Sequence, residues 1–362
     1  MSGAPSNAGL MRHPPGRLMG TPLSARAWRV VSGGSPRSAS RPGEWHMSPP
    51  FQHEPVLLPA VVALLAAAPP GWSLDATLGG AGHATALLRA APHLSVLGLD
   101  RDADAREAAA QRLAPFGDRA RVVAGRFADL AELCAVAGVS RLSGALFDLG
   151  VSSAQLDRLD RGFSHRGAGP LDMRMDRSGG PTAADLVNGL DEADLAAVLA
   201  AGGEERFARR IARAVVAARP VDTTDRLAEL VRGAIPAPAR RRGGDPANRA
   251  FQALRIAVND ELDQLEPALT QALDLLVPGG RLVVLSYHSG EDRIVKRVLA
   301  GVTEQAQPAR GLPLPPGTPP PRFRRLRGLP RTAPAEEVAV NRRAASVRLR
   351  AVECTTEGPD RR

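Results

Sequence analysis

In the first third of the chain, short apolar runs alternate with longer amphipathic stretches, and each run stops at a glycine or an acid. Residues 72–76, with Trp72, Leu74 and Ala76 apolar, predict a buried strand running into the glycine-dense turn Gly79-Gly80-Ala81-Gly82. Residues 83–89 then predict the first turns of a helix. A second run, Leu94-Ser95-Val96-Leu97-Gly98-Leu99, ends in Asp100, and residues 104–113 follow as strong helix formers. Residues 121–127 predict a third strand ending at Phe127, residues 129–137 a helix, and residues 144–150 a fourth strand carrying Asp148 near its end. A helix over 60–67, stopped by Pro69-Pro70-Gly71, comes before all of these. This βα alternation is that of an open parallel sheet. It sets Asp75, Asp100 and Asp148 at equivalent strand ends. One such Asp is ordinarily a helix cap; three on one edge predict a shared pocket.

Beyond residue 150 the alternation stops. A polar loop, Leu171-Asp172-Met173-Arg174-Met175-Asp176, leads into purely helical signals from 182 to about 238, with helices expected over 191–200, 204–218 and 224–234. Such a block predicts an inserted helical domain. In its second helix Phe207, Ile211 and Val215 share one face, and Arg206, Arg209, Arg210 and Arg213 the other. An arginine stripe is usually a solvated face; with Arg240-Arg241-Arg242 nearby it also suits RNA. Helical pattern resumes from 248 to 276, then a Pro278-Gly279-Gly280 turn, a strand over 281–286 and a helix over 293–299. Residues 303–335 read as Pro- and Arg-rich loop, and 345–350 alternate as a last, partly exposed strand.

Composition narrows the class. The chain has 362 residues, enough for a large core, with 44% hydrophobic and 23% charged residues, as in ordinary globular proteins. A net charge of +9 favours a polyanionic partner, though a GC-rich coding bias toward arginine gives the same sign. Aromatic residues make up 3%, too few for a broad base-stacking platform. Two cysteines, Cys134 and Cys354, form neither a disulfide framework nor a zinc site, so no metal is expected and a reducing, cytoplasmic compartment is. The longest apolar run, 56–68, contains Pro59 and is too short to span a bilayer, so no membrane association is expected. Residues 1–46 carry Pro, Gly, Ser and Arg with no acid before Glu44. They are expected to be disordered, and either Met47 or a nearby codon is the start or the leader is a dispensable tail.

The strand, glycine turn, helix, strand and acid from 72 to 100 form the grammar of a nucleoside site, with Asp100 placed for ribose hydroxyls. Two cofactors compete for it. A dinucleotide fingerprint requires Gly where Thr85 stands, whereas Asp75, inside the first strand, suits a ligand bearing an ammonium group. That favours S-adenosylmethionine over NAD, and a tight turn with no ligand stays open. Phe127, at a strand end, reads either as core or as a flank for adenine.

Taken in order, several longer motifs resemble one family, the bacterial small-subunit ribosomal RNA methyltransferases that modify N4 of a cytidine in 16S ribosomal RNA at the decoding centre. The resemblance rests on His53-Glu54-Pro55-Val56-Leu57-Leu58, the turn from Asp75 to His83, and Leu146-Phe147-Asp148-Leu149-Gly150-Val151-Ser152-Ser153. It continues through Pro170-Leu171-Asp172-Met173-Arg174-Met175-Asp176, Gly203-Glu204-Glu205-Arg206-Phe207-Ala208 and Phe251-Gln252-Ala253-Leu254-Arg255-Ile256. It ends in Ser286-Tyr287-His288-Ser289-Gly290-Glu291-Asp292-Arg293-Ile294-Val295-Lys296, so it spans about 52–352. Ala81 departs from a glycine usual in that turn, and Tyr287 and Gly290 from Phe and Leu.

The resemblance implies a Rossmann-like α/β fold of the class I S-adenosylmethionine-dependent type with an inserted all-helical domain. The expected segments are a disordered leader at 1–46, the methyltransferase domain at 47–156 and 246–352, the helical substrate-binding insert at 157–245, and a disordered tail at 353–362. S-adenosylmethionine is then expected on Ala81, Gly82, His83, Asp100, Phe127, Asp148 and Gln155. Asp148 occupies the place of the polar residue of amino-group methyltransferases, though no Pro-Pro-aromatic clamp follows it. His288 and Asp292 lie at the next strand's end, where either could orient the base or take its proton; Asp148 and His288 are the expected catalytic pair. The implied partner is 16S rRNA in the small subunit or its precursor. A DNA cytosine-N4 methyltransferase and a cofactor-holding assembly factor without chemistry are the alternatives.

Overall fold

The computed structural model describes residues 55–203, 206–240, 245–304 and 320–356. The expected leader, His53, Glu54, Glu204, Glu205 and the Arg241-Arg242 pair lie outside them. In chain order the elements are α1 (Leu58–Ala66), β1 (Gly71–Asp75), α2 (Gly82–Ala90), β2 (Leu94–Asp100), α3 (Ala103–Leu113), β3 (Ala120–Ala124), α4 (Leu130–Val136), β4 (Leu142–Asp148) and α5 (Ser153–Asp157). The helical block holds α6 (Ala183–Gly189), α7 (Glu192–Ala201), α8 (Ala208–Ala217), α9 (Thr224–Ala234), α10 (Ala237–Arg240) and α11 (Ala247–Asn259). Then come α12 (Glu261–Leu275), β5 (Leu276–Ser286), α13 (Ser289–Thr303), β6 (Phe323–Arg325), α14 (Ala335–Val340) and β7 (Arg348–Cys354).

The seven strands form one sheet in the order β3-β2-β1-β4-β5-β7-β6. Strands β1 to β5 run parallel, and β7 runs antiparallel to both β5 and β6. In β4 every residue before Asp148 is buried, the continuous apolar run of a strand covered on both faces. One face packs on α4, α12 and α13, with Cys134, Leu269 and Leu299 in the layer; the other packs on α1 and α2 through Leu65, Leu87 and Leu88. Strand order reverses between β1 and β4. In such sheets the crevice outside the strands' carboxyl ends is where ligands bind.

The insert has its own core, built from Leu186, Leu195, Ile211, Val231, Phe251 and neighbours. Its first two helices start on side-chain caps, Thr182 with Asp185 for α6 and Asp191 for α7. This core reaches Val258, so α11, expected in the second methyltransferase segment, packs with the insert. Ile211 and Val215 are buried in α8, and Arg209, Arg210 and Arg213 are exposed, as the stripe predicts; Arg206 precedes the helix.

Four expectations shift. Strand β3 stops at Ala124, so Phe127 sits in the 3-10 turn Phe127–Asp129 rather than at a strand's end. The helical run from 248 to 276 is broken at Asp260, whose φ of 51° separates α11 from α12. Strand β6 lies inside the stretch read as loop; at three residues it is too short to carry a period. The last strand begins at Arg348 and runs to Cys354, between β5 and β6. Glu353, expected in a disordered tail, instead binds Arg281 at 3.0 Å and Arg324 at 2.6 Å across the sheet.

Candidate active site

The glycine turn after β1 is fixed by sterics and by one acid. Gly79 has φ of 51° and donates its N–H to Asp100 Oδ2 at 2.8 Å; Asp102 N–H donates to Oδ1, also at 2.8 Å. These bonds orient the Asp100 carboxylate at the end of β2. Burial pushes its pKa up, and the two backbone donors oppose that rise. Gly82 opens α2 against Pro55, whose Cγ would lie 2.3 Å from an added Cβ, so no larger residue fits there. Ala81, just before it, takes the left-handed conformation at φ of 57° that a glycine would hold without strain.

The turn, the ends of β2 and β4, and one side of α11 enclose a cavity of about 590 Å³, within the usual range for small-molecule sites. Gly82, His83, Asp100, Phe127, Asp148 and Gln155 all line it, bringing six of the expected residues together. Ala81 is buried behind the lining. Phe127 meets Phe147 edge-on at 6.2 Å between ring centres, so it serves both core and cavity wall. Gln155 is buried; its Nε2 donates to Asp102 Oδ2 at 2.8 Å while its Oε1 accepts from Ser152 N–H at 3.1 Å, closing the cap of α5. Asp102 also binds the fully buried Arg161 at 2.8 Å. Asp75 stays below the lining and accepts from Thr77 N–H at 3.2 Å. Burial foremost, then the charges of Asp148 and Asp100, raise its pKa to about 7.

Asp148 is the polar centre of the far wall. Its backbone N–H donates to Thr77 Oγ1 at 2.7 Å, tying β4 to the glycine turn. Its Oδ1 accepts from the Tyr287 hydroxyl at 2.6 Å, and its Oδ2 lies 3.7 Å from His83 Nδ1. Burial and the adjoining Asp148 charge push the Tyr287 phenol far up, so it stays protonated as a donor.

His288 is placed differently. It caps α13, its Nδ1 accepting from the N–H groups of Gly290 at 3.2 Å and Glu291 at 3.4 Å, with Nε2 at 3.1 Å from Glu291 Oε1. An Nδ1 that accepts leaves the proton on Nε2, facing Glu291. Nδ1 is taken up by the cap, Nε2 is buried against Glu291 without a hydrogen-bond partner, and the ring is outside the cavity lining. Burial disfavours the Glu291 carboxylate, but His288, Arg255 and the Tyr287 N–H outweigh it and hold its pKa low. Asp292 is also off the lining, bound to Arg350 at 2.7 Å and Lys296 at 3.1 Å.

Sequence reasoning passed over α11. Asn248, Gln252, Arg255 and Asn259 all reach the cavity, at steps of four, three and four residues, which is one helical face. That polar stripe, beside the apolar positions of the same helix, was the available signal. Arg255 is clamped by Glu261 through two bonds of 2.8 Å, and Asn259 holds Met173 O and Met175 N–H at 2.8 Å each. The insert therefore supplies part of the site.

The family model for the MraW methylase family matches residues 50–355. The chain belongs to this family. The ribosomal RNA small subunit methyltransferase H of Thermobifida fusca is 51% identical over 333 residues, covering 90% of this chain and 100% of that relative. The protein of the same name from Frankia alni is 54% identical over 319 residues, covering 85% and 97%. A solved structure of an rRNA methylase from Streptococcus thermophilus aligns over 82% of this chain and 94% of its own at 13% identity, with a TM-score of 0.36. As a member of this methylase family the chain is a methyltransferase, with the expected α/β sheet and a helical block that has its own core.

The donor set fits S-adenosylmethionine. Asp100 and Asp148 lie in the lining with Asp75 beneath it, acids suited to a cationic ligand, the Asp100 carboxylate is held by two backbone donors, and Phe127 offers an aromatic wall. Arg101 Nε, at the same end, is buried without a partner in the protein. No helix among the described residues is long and apolar enough to cross a membrane.

Proposed function

We propose that the chain transfers a methyl group from S-adenosylmethionine to N4 of a cytidine in 16S ribosomal RNA, presented by the small ribosomal subunit or its precursor. The observation that carries this reading is the polar wall at Asp148, joined to the nucleoside-type turn through Thr77 at 2.7 Å. Cytosine N4 is a weak nucleophile, its lone pair delocalised into the ring, so placement and an acceptor for its N–H have to supply the catalysis. S-adenosylmethionine supplies an electrophilic methyl carried on a sulfonium.

Asp100 would hold the ribose, Phe127 flank the adenine, and the Gly79–His83 turn follow the methionine end; Gln155 braces the wall through Asp102. Asp148 would accept the hydrogen bond of N4–H as positive charge develops on that nitrogen. Extruding the base costs a few kcal/mol, which the insert's exposed arginines would offset through phosphate contacts. With Nδ1 capping α13 and the ring outside the cavity lining, His288 would act through the start of that helix instead of meeting the base.

The test is tritiated methyl transfer from S-adenosylmethionine to small subunits from a strain lacking this gene, to naked rRNA and to DNA, followed by nucleoside digestion. N4-methylcytidine from the subunit, abolished or reduced by about a hundredfold or more in Asp148→Ala, is expected. Label on DNA alone would favour the DNA enzyme, and bound cofactor without transfer the assembly factor.

A further inference from the structure

His83 was expected as a cofactor contact, and its side chain supports a second role. Its Nε2 lies 3.0 Å from the Val56 carbonyl oxygen. A carbonyl only accepts, so Nε2 carries a hydrogen, and in the neutral ring Nδ1 keeps its lone pair. Nδ1 lies 3.7 Å from Asp148 Oδ2, while the Tyr287 hydroxyl donates to Oδ1. Two acceptors facing each other across that gap call for a proton between them, and methyl transfer to an amine releases one. Among the described residues, His83 is the histidine that lines the cavity.

We propose that His83 Nδ1 is the proton acceptor of the methyl transfer, acting through Asp148; this rests on the function proposed above. The N4 lone pair forms the N–CH3 bond as the S–CH3 bond breaks, and that electron pair stays on sulfur. N4, now positively charged, gives its proton to Asp148 Oδ2, from which it passes to His83 Nδ1. The products are N4-methylcytidine, S-adenosylhomocysteine and an imidazolium paired with Asp148, whose proton goes to solvent after release. Catalytic hydrogen bonds are often long before substrate binds, and the 3.7 Å gap has to shorten in the reacting complex. Tyr287 is a positioning residue here, fixing which carboxylate oxygen faces the histidine.

The ionisable groups around the ring come from several elements. Asp148 is on β4, Asp75 on β1, Asp100 on β2 and Tyr287 follows β5. Glu337 of α14 accepts from the Leu57 N–H beside Val56, Arg112 of α3 donates to Gly80 O, and Arg343 reaches the cavity from the segment before β7. Helix α1 brings none.

The test is His83→Gln, which keeps an amide donor toward Val56. Single-turnover methylation of small subunits is followed against pH, with the cofactor's Kd measured calorimetrically in parallel. The wild type should lose rate toward low pH as Nδ1 becomes protonated. At cofactor concentrations that saturate each protein, the variant should be slower by about a hundredfold or more at neutral pH and lose that acid limb. A uniformly lower rate with the limb intact, or an unchanged rate, would overturn the proposal. Nitrogen-15 NMR of the histidine rings in the unmodified chain gives a readout independent of folding in the variant: the neutral His83 ring should hold its proton on Nε2. The opposite tautomer would overturn it too. If the wild type fails to methylate subunits at all, the functional reading fails instead, and the tautomer measurement still stands.

Discussion

Asp75 links the site to pH at the scale of one residue. Its carboxyl is raised from 3.8 to about 7, by burial first and by Asp148 and Asp100 next, so the fold favours its protonated form. Between those values the folded chain keeps a proton that the unfolded chain has released. The stabilisation from that proton is present at acid pH and is lost as pH rises through about 7. It amounts to at most ~4 kcal/mol, at about 1.36 kcal/mol per pH unit. The cofactor-free protein should therefore lose Asp75's contribution to its melting temperature over this range, and Asp75→Asn should flatten that dependence; parallel curves would contradict it. A cationic cofactor pulls the other way, favouring ionised Asp75. Its affinity should rise with pH through about 7, with proton release detectable by calorimetry in buffers of different ionisation enthalpy. Asp100 acts more directly. Removing its carboxylate in Asp100→Ala would take away the proposed charge-assisted bonds to ribose, worth on the order of 1.5–3 kcal/mol. Cofactor affinity should drop about ten- to a hundredfold, and an unchanged calorimetric Kd would refute the assignment.

At the scale of elements, steric contacts decide how turn and insert are held. Ala81→Gly would relieve about 1–2 kcal/mol of left-handed strain but remove a buried methyl worth about 0.8 kcal/mol, so only a small gain in melting temperature is expected. Gly202, where α7 ends, has no such margin: a Cβ there would lie 2.2 Å from the Ala253 Cα of α11. Gly202→Ala should push the two helices apart and cost about 1–3 kcal/mol, seen as a lower denaturation midpoint; an unchanged midpoint would contradict that packing. These elements also show what could be read beforehand. β1, β2 and β4 were legible, as was Asp100 at its strand's end, because apolar runs closed by Gly or Asp are local signals. Phe127 was misplaced because the turn after β3 carries no period. The use of His288 as a cap follows from the donors at the start of α13, not from its neighbours in sequence. The Tyr287–Asp148 bond joins residues 139 apart, and the cavity face of α11 shows only once the insert folds back over the sheet.

At the scale of the whole molecule, the strand ends and the insert line one cavity, the proposed nucleoside site, and the insert also presents basic surface. Arg209, Arg210 and Arg213 stand exposed on α8, opposite buried Ile211 and Val215. If they meet phosphates of the subunit, Arg209→Ala combined with Arg210→Ala should weaken subunit binding and reduce the salt slope by about two, near one per phosphate contact. Cofactor affinity should not change. Equal salt slopes for variant and wild type would assign the stripe to solvent. The central claim joins both halves: the cavity at the strand ends methylates one cytidine amine in the small subunit. Mass-spectrometric mapping of 16S rRNA from cells with and without this gene tests it most directly. N4 methylation at a single cytidine should vanish on deletion, return with the unaltered gene and fail to return with Asp148→Ala. An identical methylation map in the presence and absence of the gene would contradict the account.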